Sequence, residues 1–168
     1  MNSPDPPNPA TSLARRDDPR LADRFDDLAM QSLWLAIRRR AWRSLAVVAG
    51  SPHAPTIEVA STLAKLCWAY RGQPTYVVDR RDLSLRLIEY QLREVASQLE
   101  QQQLTIIALR SIAENPTVVP VAASADAVVL CVRLGQTKIA AAERTVNEIG
   151  RDKFIGTIVL HDPVRRRK

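Results

Sequence analysis

The chain has 168 residues, 46% hydrophobic and 25% charged, with a formal net charge of +6. That make-up suits one globular domain with short tails, and a core of this size needs no disulfide or structural metal to fold. No apolar stretch approaches the roughly 18 residues that span a bilayer, and the beginning of the chain has no secretory hydrophobic segment, so the expected location is cytoplasmic.

Residues 1–20 read as a disordered tail, because Pro4, Pro6, Pro7, Pro9 and Pro19 break helices and apolar content is low. Residues 21–162 read as a single domain, followed by a basic tail over 163–168. The pattern turns helical from Leu21 to about Arg40, with Leu21, Phe25, Leu28 and Leu35 near one stripe and Leu33, Trp34 and Ile37 widening it. Asp23, Asp26 and Asp27 lie early in this segment and Arg38, Arg39 and Arg40 late, as a helix dipole favours. Trp34 and Trp42 flank the arginines; they either form an aromatic and basic interaction surface or pack the helix onto a sheet.

Five apolar runs then alternate with helical patterns. Strands are expected at Ser44–Gly50, Thr75–Asp79, Leu104–Leu109, Ala127–Val132 and Phe154–Leu160. Helices are expected at Thr56–Arg71, with Val59, Leu63, Leu66 and Tyr70 on one face, at Leu83–Gln102, and at Lys138–Ile149. Residues 110–125 contain Pro116 and Pro120 and read as a loop with a short helix. Gly72 stands where a helix C-cap belongs. Apolar strands without polar alternation are covered on both faces, so the expected fold is α/β: a doubly wound, mostly parallel five-stranded sheet with helices on both faces, preceded by an N-terminal helix. Cys67 and Cys131 sit inside apolar runs and read as buried, reduced thiols, and neither they nor His53 and His161 make a metal-ligand spacing.

In such sheets ligands bind beyond the carboxyl ends of the strands, so the first strand-to-helix turn, Gly50, Ser51, Pro52, His53, Ala54, Pro55, Thr56, Ile57 and Glu58, is the candidate site. The run LAVVAGSPHAPTIEVASTLAKLCWAYRGQPTYVVD resembles, without a gap, the nucleotide-binding start of the bacterial tyrosine kinases. These are deviant P-loop ATPases that act with capsule and exopolysaccharide chain-length determinants, and their pattern runs S-A-x-P-G-E-G-K-S-T into a helix and then G-K-x-V-L-L-I-D. LREVASQLEQQQLTIIAL, SADAVVLCVRLGQTKIAAAERTVNEIG and KFIGTIVLHD are similar to the later strand and helix units of that family, so the resemblance covers roughly residues 25–162.

The resemblance also implies losses. The family's phosphate-gripping lysine falls on Thr56, its magnesium-binding hydroxyl on Ile57 and the following threonine on Glu58. Its loop glycines fall on His53 and Pro55, while Pro52 matches a family proline. The first Asp of the next motif is kept as Asp79, the second falls on Arg81 with Asp82 adjacent, and the strand-end Asp falls on Ala108. The family's proline pair falls on Arg110 and Ser111. Its tyrosine-rich tail is replaced by Val164 to Lys168, and its assembly motif is not readable in Asp27–Leu33.

A P-loop holds phosphate through converging backbone N–H groups, the positive end of a helix and one lysine. Pro55 has no N–H to offer, non-glycine residues resist the required φ values, and Glu58 puts a carboxylate in the first helical turn. The expectation is therefore a non-catalytic pseudo-kinase or pseudo-ATPase with no cofactor and no bound metal. It is expected to act as a scaffold or regulator with a membrane chain-length determinant or polysaccharide export protein, and with an active kinase paralogue or a second copy of itself. No nucleic-acid partner is expected, while the arginine clusters suit a position beside the inner face of the cell membrane.

Three alternatives stand beside it. One is a divergent ATP-binding kinase or ATPase using Arg81 or Lys65 in place of the lost lysine. A second is a partition-ATPase-like nucleic-acid binder or positioning protein using the arginines. The third is a generic doubly wound domain in which Ser51 or Thr56 merely caps a helix. At the end of the second strand, Asp79 is expected in a salt-bridged turn with the flanking arginines, and His53 in the degenerate loop is expected to be passive.

Overall fold

A computed structural model describes residues 28–90, 93 and 103–161. The expected tails, the beginning of the N-terminal helix and most of the helix expected at Leu83–Gln102 lie outside the described residues; of the latter, a 3-10 turn at Leu85–Leu87 and helical residues 88–90 are seen.

The elements follow in the order α1 (Leu28–Ile37), β1 (Ser44–Ala49), α2 (Thr56–Arg71), β2 (Thr75–Asp79), β3 (Leu104–Ser111), α3 (Val118–Ser124), β4 (Ala127–Arg133), α4 (Ile139–Ile149) and β5 (Phe154–Leu160). The five strands form one sheet in the order β2-β3-β1-β4-β5, and every pairing is parallel. β1 is buried along its whole length, as a central strand covered on both faces must be. The edge strands β2 and β5 are only partly buried.

Alternate residues of each central strand enter two separate cores. Leu45, Val47 and Ala49 of β1, with Ile106 and Ala108 of β3 and Val129 and Cys131 of β4, pack against α1 and α2. Ala46 and Val48, with Ile107, Leu109 and Val128, pack against α3 and the end of α4. The helices therefore lie on both faces, as the unbroken apolar strands imply.

Some details differ from the expectation. The buried stripe of α1 is Trp34 and Ile37, 5% and 2% exposed, whereas Leu35 is 63% exposed. The tryptophans resolve toward packing: Trp42 is also buried and its Nε1 donates to the Ile37 carbonyl at 2.9 Å. Tyr70 of α2 is not in the core with Val59, Leu63 and Leu66; it lies at the surface and stacks on Trp34 at 5.2 Å. β3 runs two residues beyond its apolar stretch, to Ser111, which pairs with Ala49 of β1 across a register shift. The following loop does contain a short helix, α3, and Pro120 fits within its first turn, where an N–H has no intrahelical partner. Gly72 ends α2 with φ +64, its N–H donating to the Trp68 carbonyl at 3.0 Å. Both thiols are free and buried, and burial pushes Cys67 and Cys131 up to about 11.

Candidate functional site

The turn between β1 and α2 leaves the sheet at its carboxyl end beside the ends of β3 and β4. Gly50 lets it lie close: its N–H donates to the Cys131 carbonyl at 2.8 Å, and a Cβ there would stand 3.1 Å from Thr137 Cγ2 and 3.3 Å from that carbonyl oxygen. Ser51 Oγ and Thr137 Oγ1 share a hydrogen bond of 2.8 Å, and Thr137 Oγ1 also accepts from the Arg133 N–H. This contact ties the loop to the turn after β4. Neither Ser51 nor Thr56 caps α2, so the generic-turn expectation of such a cap does not hold. Ser51 is already bound to Thr137, and Thr56 is the first helical residue rather than the cap; the cap is Pro55, with no side-chain bond.

His53 occupies φ +62, the left-handed region. A non-glycine residue thus takes this conformation, at the strain it imposes on a residue with a Cβ. Two of the loop's backbone donors turn inward and a third is missing. The Ala54 N–H points back to the Ser51 carbonyl at 3.4 Å, the Thr56 N–H donates to the Ala54 carbonyl at 2.8 Å, and Pro55 has no N–H.

Below the loop lies a polar cavity of about 250 Å³, lined by Ala49, His53, Ala54, Pro55, Thr56, Glu58, Arg81, Arg110 and Glu114. Thr56, at the position of the family lysine, is fully buried and its hydroxyl has no hydrogen-bond partner. Ile57 packs against the core beneath α1 and α2, and Ala108 is wholly buried in that same core, so neither offers an oxygen to a metal. Pro52 and His53 are exposed at the tip. Lys65 stands nine residues into α2, about 14 Å along the helix axis, and cannot replace a lysine at the loop.

The two arginines on the cavity wall are each engaged by carboxylates. Arg81 forms a bidentate pair with Asp79, Nη2 to Oδ2 at 2.7 Å and Nε to Oδ1 at 2.9 Å, which is the salt-bridged turn expected of this stretch. Arg110 reaches Asp82 at 2.8 Å and Glu114 at 3.4 Å, and its Nε donates to the Arg81 carbonyl at 3.0 Å. Glu114 also accepts from the Ser111 hydroxyl at 2.7 Å. The hydrogen bond from Arg81 holds the Asp79 carboxyl below its usual range. Burial alone would raise Glu114, but Ser111 and Arg110 outweigh it and hold it low. Both arginines are shifted upward by the carboxylates they face.

The sequence pointed to Asp79, Arg81 and the loop; the structure brings Arg81 and the loop residues His53–Thr56 and Glu58 to one cavity, with Asp79 paired to Arg81. It also adds Arg110 and Glu114, which no spacing signalled. Arg110 stood only at a lost family proline, and its partner Asp82 is 28 residues earlier in the chain. Among the described residues, no group of three or more His, Cys, Asp and Glu side chains could hold a metal. A nucleotide with its magnesium does not fit this donor set: the Ala54 and Thr56 N–H groups turn inward, Pro55 has none, Glu58 stands in the first helical turn, and the cavity arginines are already paired.

In fold, the chain is similar to a solved structure described as the kinase domain of Escherichia coli tyrosine kinase ETK. The two share 15% identity with a TM-score of 0.64, over 82% of this chain and 74% of that one. No family model and no curated protein matches the chain. At this identity the likeness speaks for the P-loop kinase-type fold.

Proposed function

We propose that the chain is a non-catalytic relative of the bacterial tyrosine kinases, keeping their fold as a protein-binding scaffold. The observation that carries this reading is the loop Ser51–Thr56, in which the Ala54 and Thr56 N–H groups bond to the loop's own carbonyls and Pro55 has no N–H. Phosphoryl transfer depends almost wholly on positioning and electrostatic stabilisation. Here the lysine position is a buried Thr56, the metal-ligand positions are Ile57 and Ala108, and Arg81 and Arg110 are held in ion pairs. Three independent parts of that machinery are replaced together.

The fold likeness and the resemblance in the strand and helix units favour a membrane chain-length or export protein of capsule or exopolysaccharide synthesis as the partner. An active kinase paralogue or a second copy of this chain would be further ones. No described helix is long and apolar enough to cross a membrane, so a place at the inner face of the membrane would be peripheral. A divergent ATPase is the second reading, favoured by the open cavity and the unpartnered Thr56 hydroxyl.

Calorimetric titration of the full chain with ATP, with and without magnesium, separates the two. The scaffold reading expects no binding tighter than roughly 0.1 mM, an affinity that needs about 5–6 kcal/mol of interaction. Tighter, magnesium-dependent binding would support the ATPase. Capture from the native cell of a membrane chain-length protein would support the proposed partner.

A further inference from the structure

The second concentration of charge lies at the opposite end of the sheet from the loop. The strands begin there, and α1, α2, α3 and α4 end there. The linker from α1 to β1 brings Arg38, Arg39, Arg40 and Arg43, all exposed; Arg71 comes from the last turn of α2 and Lys153 from the turn before β5.

Contacts join these residues into one face. Arg40 Nη1 donates to the Asp152 carbonyl at 2.8 Å, and Lys153 Nζ donates to the Ala125 carbonyl at 3.0 Å. The next residue, Asp126, accepts from the Arg43 N–H at 2.8 Å and from the Ser44 N–H at 2.9 Å. The Arg71 guanidinium lies 5.5 Å from the Trp34 ring and 5.4 Å from the Trp42 ring, and Arg38 lies 5.7 Å from Trp34. Asp126 and Asp152 are the carboxylates these contacts bring to the face. The four helix ends add roughly half a negative charge each. Among the described residues, these six cations exceed the two carboxylates and the helix ends together.

We propose that this face binds the anionic surface of a lipid bilayer directly. Two observations favour lipid over nucleic acid. Trp34 and Trp42, the aromatics that could stack on bases, are buried. Leu35 is 63% exposed near the end of α1, three and four residues before Arg38 and Arg39. An exposed leucine among arginines suits the boundary between headgroups and acyl chains, where the apolar side chain is buried while the guanidinium groups meet lipid phosphate. On a phosphate backbone the leucine would gain nothing.

This deepens the peripheral placement proposed above and gives it an orientation. The base of the sheet meets the membrane, and the degenerate loop stands away from it by the length of the strands, about 20 Å. The loop end is then free to meet a protein partner. Because the two ends are separate, lipid binding and nucleotide binding succeed or fail independently.

The test is co-sedimentation of the full chain with vesicles of phosphatidylcholine alone and of phosphatidylcholine with about a third phosphatidylglycerol. Binding to the anionic vesicles, weakened by added salt and negligible on the neutral ones, is expected. Arg38→Gln, Arg39→Gln and Arg40→Gln together should weaken it by roughly 100-fold, about fivefold per charge. The corresponding triple lysine variant should restore most of the binding, which a folding defect would not allow, and Leu35→Asp should weaken it with the arginines intact. The proposal is overturned by no binding to anionic vesicles, or by equal binding to neutral ones. It is also overturned if an unrelated DNA duplex binds tighter at the same salt, or if glutamine at Arg165, Arg166 and Arg167 abolishes lipid binding while the triple glutamine variant of the base leaves it intact.

Discussion

Thr56 is fully buried at the first position of α2, and its hydroxyl is unpartnered beside a polar cavity. A buried polar group without a partner costs free energy, and valine keeps nearly the same shape. Thr56→Val should therefore raise stability to denaturant by about 1 kcal/mol, whereas a loss of stability would mean that the hydroxyl has a partner in solution. Asp79 gives a second prediction at this scale. Its carboxyl is held low in the folded state, so the pair with Arg81 contributes above the unfolded carboxyl pKa of about 4 and is lost as pH falls through the lower folded value. Asp79→Asn should melt below the parent chain near neutral pH, and the gap should close as pH falls below about 4. Because the pair is about two-fifths exposed, the gap should be small. A constant difference across the acid limb would show that the ion pair does not contribute.

At the scale of elements, α1 is fastened to the domain by aromatic contacts rather than by the leucine stripe its sequence suggests. Trp34 is buried, stacks on Tyr70 and lies beneath Arg71, so it couples α1 to the end of α2. Trp34→Ala should cost about 3–5 kcal/mol in denaturant unfolding, while Leu35→Ala should change stability little. The reverse order would mean that α1 turns its other face to the sheet. This contrast marks how far the sequence was legible. The apolar runs of β1, β3 and β4 are long, unbroken and buried on both faces, so strands and fold class followed from them directly. The face of α1 did not, because leucine, tryptophan and isoleucine occur all round that helix and periodicity alone cannot choose among them. The carboxylate partners of Arg110 were hidden for another reason: Asp82 reaches it only through the pairing of β2 beside β3. The inward turn of the Thr56 N–H is a matter of backbone direction that residue types do not encode.

For the whole molecule, the sheet separates two kinds of chemistry. At its carboxyl end the loop bends at His53 with positive φ, turns the Ala54 and Thr56 N–H groups inward, and pairs Arg81 and Arg110 with carboxylates. Its other end gathers surplus positive charge around α1 and the starts of the strands. Such a molecule can orient itself at a charged surface while offering the loop end to a partner, and neither task needs turnover. The most direct measurement of this account is thermal unfolding of the full chain with ATP and magnesium at a concentration near 10 mM. A site with a dissociation constant of 0.1 mM would then be about 99% filled, adding roughly 2.7 kcal/mol and raising the midpoint by about 5–10 °C in a domain of this size. The account predicts a midpoint that does not move beyond the effect of the same salt without nucleotide. A magnesium-dependent rise of several degrees would mean that the inward-turned loop reopens around a triphosphate, and would contradict it.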